Sequence, residues 1–249
     1  MNVWTPERIK NALQYETTRP PEAALLEALA HPDQYRPLLI QMIEHAAYQP
    51  GSLPPDAMGH HYAMILLAYH RDPDAFDALL ALLRLNQDLL DYVLRDSLEQ
   101  RLARCLASTC SGRFQLLLQS ILDPVVSGYA KVIAIHALII LYLQLDLDRP
   151  ELMGLARQIF EKLPCQLELI PWDLVIKAFL EIHPIELQSE IQHVLDLEII
   201  PAYFLSASVV SETLKRDQAQ LVQLARQAAK NQLILEPVDE VMALDVFKS

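Results

Sequence analysis

His45, His60 and His61, with Asp56 and Glu44 beside them, are the residues whose types and spacing come nearest to a metal site. Imidazole nitrogens and carboxylate oxygens hold zinc and similar divalent ions when several converge, and an ion held with an open position activates water for hydrolysis. If "PLLIQMIEHAAY" and "MGHHYAMILLAY" form an antiparallel hairpin, His45 near the end of the first helix and His60 or His61 near the start of the second lie at one end of it. No HExxH and no histidine pair at i, i+4 accompanies them, and a polar hairpin end explains the same residues.

The other chemistry-bearing residues read more simply. His31, His70 and His183 each close an expected helix, just before "P", "RDP" and "P", where an imidazole bonds terminal carbonyls and a positive charge suits the helix dipole. Asp72, Asp74 and Asp77 in "DPDAFD", and Asp146 and Asp148 in "DLD", read as solvated carboxylates at helix starts. Cys105, Cys110 and Cys165 lack the spacing of a zinc knuckle or a C-x-x-C redox pair, so reduced, buried thiols are expected. Trp4 and Trp172 read as core residues before binding anchors. With no G-x-S-x-G, phosphate loop or Cys/His nucleophile pattern, no catalytic residue is assigned and no cofactor is expected.

The elements that must position these residues are helices. Leu, Ala, Ile, Gln and Glu recur at spacings of three and four, alternating runs are hard to find, and five glycines in 249 residues leave little for tight turns or phosphate-cradling loops. Proline marks helix starts: Pro21 in "RPPEAALLEALAHP", Pro37 in the first turn of "QYRPLLIQMIEHAAY", Pro73 after an Asp72 N-cap. The pattern continues through "DSLEQRLARCLASTC", "GRFQLLLQSIL", "RPELMGLARQIFEKL", "IPWDLVIKAFLEI", "PIELQSEIQHVLDLE", "ASVVSETLKR" and "DQAQLVQLARQAAK". About a dozen helices with short connections give an all-α, HEAT-like α-solenoid, a right-handed α-α superhelix of degenerate repeats.

The most apolar stretch, "YAKVIAIHALIILYLQL", is too short to cross a bilayer: the twelve residues from Val132 to Leu143 span roughly 18 Å at ~1.5 Å each, against about 30 Å of hydrocarbon. It is expected as an inner core helix. Ala130, Ala134, Ala137 and Leu141 form one covered stripe, and Tyr129, Ile133, His136 and Ile140 a second, with His136 buried.

Acidic residues outnumber basic ones 32 to 20, for a net charge of −12, so nucleic acid and anionic membranes are not expected partners. "MNVWTPERIK" carries charge and proline where an export signal would be apolar, so a cytoplasmic location is expected.

The blocks "RPPEAALLEALAHPDQYRPLLIQMIEHA", "HYAMILLAYHRDPDAFDALLALLRL" and "RCLASTCSGRFQLLLQSILDPVVSGYAKVIAIHALIIL" resemble, in order and spacing, the bacterial domain-of-unknown-function family 1186, from about residue 20 to 214. The resemblance implies a helical repeat fold and assigns no activity. Where the family pattern has Gly-Asp before "DSLEQRL", this chain has Arg95 before Asp96. No cysteine follows Cys165, so the C-terminal zinc module of some relatives is expected to be missing.

Residues 1–230 are thus expected as a single helical-repeat domain. The tail 231–249, rich in Leu, Ile and Val, is too apolar to stay in water and is expected to be docked, partly extended, on the solenoid or on a second subunit, which would make a homo-oligomer. The expected function is a non-catalytic scaffold binding a protein or peptide; the alternative is a small metal-dependent hydrolase or other enzyme at the His45, His60 and His61 hairpin end.

Overall fold

The computed structural model describes residues 3–95, 99–244 and 247. Among them the chain is all-α: fifteen α-helices, four 3-10 turns, and one isolated β-bridge between Tyr15 and Ala57. It divides into two compact units, Met1–Ser111 with Leu233–Ser249, and Gly112–Gln232.

The first unit begins with α1 (Pro6–Leu13), α2 (Glu22–Ala30), α3 (Pro32–Tyr48) and α4 (Gly59–Tyr69), followed by α5 (Phe76–Leu82), α6 (Gln87–Leu94) and α7 (Glu99–Thr109). The start of "DSLEQRL", residues 96–98, lies outside the described residues. Helix α3 begins at Pro32, two residues before the expected start at Gln34, so Pro37 stands inside it; His31 both ends α2 and opens α3. Helix α4 is the hub, with α2, α3 and α7 against it, and every residue from Gly59 to Ala68 is buried. A helix apolar on all sides needs cover on all sides.

The second unit contains α8 (Phe114–Leu122), α9 (Gly128–Leu143), α10 (Arg149–Lys162), α11 (Trp172–Leu180), α12 (Gln188–Asp196), α13 (Ala207–Leu214) and α14 (Gln218–Gln227). Its hub is α9, the expected inner helix, packed by α8, α10, α11 and α14. The stripe Ala130, Ala134, Ala137 and Leu141 is fully covered. In the second stripe Ile133 and Ile140 are buried, but Tyr129 is 48% exposed and His136 only partly covered. Tyr129 lies in the first turn of α9, and the segment that covers that end reaches Gly128 instead. A Cβ at Gly128 would collide with the Leu169 carbonyl oxygen and stand 2.8 Å from Pro171 Cδ. Because backbone blocks it, Gly128→Ala is expected to destabilise by about 1–3 kcal/mol, read by urea unfolding.

After α14 the chain returns to the first unit, where α15 (Pro237–Met242) lies against α4. Helices α1, α6 and α15 are additional to the dozen expected. Each is eight residues or fewer.

With few glycines, other residues close the helices. Arg71, Arg95, Leu145, His183 and Glu198, after α4, α6, α9, α11 and α12, hold φ between 51° and 67°. This left-handed position reverses the chain and frees its amides for the last carbonyls, as Asp72 N donates to Leu67 O and Asp146 N to Leu141 O. Arg95, at φ 56°, takes such a position just before residue 96.

Candidate functional site

The four metal candidates are placed apart in character. His45 is exposed on the last turn of α3, and its Nε2 lies 2.8 Å from Ser52 Oγ. It lines an open cleft of about 440 Å³ with Lys10, Met42, Glu44 and Tyr48. His60 and His61 are instead interior. His60 Nε2 meets the Val93 carbonyl oxygen at 2.8 Å, and the two histidine rings stand 3.9 Å apart. Both ring nitrogens of His61 are buried without a hydrogen-bond partner. The Asp56 side chain is exposed, and its carbonyl accepts from the Glu16 amide. Among the described residues no three His, Cys, Asp or Glu side chains are grouped to hold a metal ion.

Burial sets the chemistry of the α4 histidines. Desolvation pushes His60 down to about 4, reinforced by Arg95 and His45 and opposed by the Val93 carbonyl, and it holds His61 well below the ordinary imidazole value. Both are neutral at physiological pH. Cys105, against the Met64 carbonyl, is pushed up to about 12 by burial and is no nucleophile.

The helix-end histidines differ from one another. His183 Nε2 meets the Leu214 carbonyl oxygen at 3.0 Å, whereas His31 pairs with the Glu27 carboxylate at 3.7 Å. His70 is lowered by its partial burial. Asp72 is not solvated: it is buried, caps the Pro73–Ala75 turn through the Asp74 amide, and pairs with Arg36. Asp148 caps α10 through the Glu151 amide. Trp172 is a core residue, as expected, while Trp4 is partly covered with the Arg8 guanidinium over its ring.

Two features escaped the reading of the sequence. One is a groove of about 340 Å³ in the second unit, lined by α11, α13, α14 and the preceding loop. On it Tyr203 is 82% exposed and its ring lies 4.4 Å from that of half-exposed Phe204, tilted by 48°, with Val209 and Leu221 alongside. Lys177 and Arg216 line it too, and the carboxylate of Glu181 is engaged by Lys230 at 2.5 Å and Asn231 at 2.9 Å. Half-buried His136 titrates low, through burial first, with Glu181 and Lys230 pulling in opposite directions. The other is a pair of interior arginines on α7, Arg101 and Arg104, facing Glu240 of α15.

The family model described as a protein of unknown function (DUF1186) matches residues 5–247. The chain belongs to this family. An uncharacterized family relative from Chlamydia muridarum (strain MoPn / Nigg) is 30% identical over 213 residues, covering 83% of each chain. Another from Chlamydia trachomatis serovar D is 29% identical over 212 residues, covering 83% of this chain and 82% of its own. No solved structure matches. No helix among the described residues is long and apolar enough to cross a membrane.

Proposed function

We propose that this protein is a cytoplasmic bacterial scaffold of HEAT-like helical repeats, and that it binds an apolar, carboxylate-bearing segment of another protein in the groove of α11, α13 and α14. The observation that carries this reading is the exposed pair of neighbouring aromatic rings, Tyr203 and Phe204, beside Val209. Aromatic side chains are the usual anchors of protein interfaces, and exposed apolar surface of this kind is costly without a partner. Charge selects the segment. In a chain of net charge −12, Arg216 lines the groove, Lys177 stands beside it in an ion pair with Asp173 at 3.0 Å, and Glu181 is engaged by Lys230. Complementary carboxylates would speed and orient docking.

Affinity purification from the native host with the wild-type chain and with Tyr203→Glu, followed by reconstitution of binding from purified components, tests this. Loss of an anchor worth 2 kcal/mol corresponds to about 30-fold weaker binding. A reconstituted partner that binds Tyr203→Glu as tightly as wild type, or none that can be reconstituted, would sink the reading.

A further inference from the structure

Helix α15 has six residues, too few to be stable alone, and is preceded by the non-helical residues 232–236. Its order comes from the surface on which it lies, as with a bound peptide. Ile234, Pro237, Val241 and Leu244 are buried, while Leu235 and Met242 face outward. At the centre, Glu240 enters between two interior guanidiniums. Its Oε1 meets Arg104 NH2 at 2.5 Å, and the same nitrogen donates to the Leu233 carbonyl oxygen at 3.1 Å. Arg101 is served poorly. It is only 7% exposed, its Nε lies 3.6 Å from Glu240 Oε2, and its Nε and NH1 have no hydrogen-bond partner.

Interior arginines normally take a carboxylate by a two-pronged fork, and leaving one unserved is costly. The site is built for a carboxylate ligand and is filled by an imperfect one.

We propose that α15 is an exchangeable internal ligand: the surface of α4 and α7 beneath it is a receptor for a short acidic, apolar segment of a partner, whose carboxylates take the place of Glu240. The tail supplies the chemistry of that partner, two or three apolar residues on one face with Asp or Glu between them. This surface is separate from the groove of the second unit, and Tyr203→Glu should leave it unaffected.

Two measurements on the full-length chain decide the matter. In hydrogen exchange of the wild type, amides of α15 should exchange about 100-fold faster than those of α4, by local opening. A labelled synthetic peptide of residues 233–244 should bind Glu240→Gln about tenfold more tightly than wild type, and lose that gain when Arg104→Gln is added. A scrambled peptide should not compete. Equal exchange in α15 and α4 would overturn the proposal, and decides alone if Glu240→Gln fails to fold. So would a folded Glu240→Gln that does not bind the peptide or binds the scrambled one as well. Dimers formed by mutual tail exchange would also overturn it, because the occupant would then be a second copy.

Discussion

Between pH 6.5 and about pH 4 the protein is expected to lose about 3 kcal/mol of stability through His60 alone. The sign follows from burial. In the unfolded chain an imidazole gains its proton near pH 6.5, whereas in the folded chain desolvation holds His60 down to about 4. The stability that comes from keeping it neutral is complete above the unfolded value and disappears as pH falls towards the folded one. His61 is displaced in the same direction and adds to the slope. Urea unfolding from pH 7.5 to 5, above most carboxylate titrations, should show stability falling by about 1.4 kcal/mol per pH unit for each such histidine once below 6.5. His61→Leu should reduce that slope and, by removing two unpartnered ring nitrogens, raise stability at neutral pH by about 1 kcal/mol. A slope unchanged by His61→Leu would show that His61 does not contribute to it, and one unchanged by His60→Leu would sink the prediction.

Trp172→Ala is expected to be the most damaging single truncation. The indole is fully buried, donates from Nε1 to the Pro164 carbonyl oxygen at 3.1 Å, and packs 5.4 Å from Phe160. Its loss should cost about 3–5 kcal/mol and lower the melting temperature by roughly 6–20 °C in a chain of this size. Trp4→Ala, which removes a partly covered ring under Arg8, should cost about 1 kcal/mol or less. Calorimetry of the two variants would rank them directly.

The contrast between α9 and α4 shows how much of the fold was legible. Both are hub helices covered on nearly all sides, yet only α9 announces itself, because its run of Ile, Leu, Val and Ala is broken by few polar residues. In α4 the pair His60 and His61 reads as a polar helix start, since an imidazole looks hydrophilic until its burial makes it neutral. The metal reading grew from the same ambiguity. Asp72 misleads in the other direction: its cap to Asp74 is local and readable, but its partner Arg36 comes from a different helix, and no spacing along the chain encodes that pairing. The proposed sites were hidden for similar reasons. Tyr203 and Phe204 lie in a loop without periodicity, and Glu240 meets Arg101 and Arg104 only through the return of the chain to the first unit.

That return has a consequence for how the protein is made. Synthesis proceeds from the N-terminus, and the whole of Gly112–Gln232 is a continuous stretch that can collapse as soon as it leaves the ribosome. The first unit, begun earlier, is finished later. Until residues 233–244 emerge, α4 and α7 lack α15, and Arg101 lacks Glu240. Throughout that interval the oldest part of the nascent chain keeps an apolar face of α4 open, which the arrival of α15 closes.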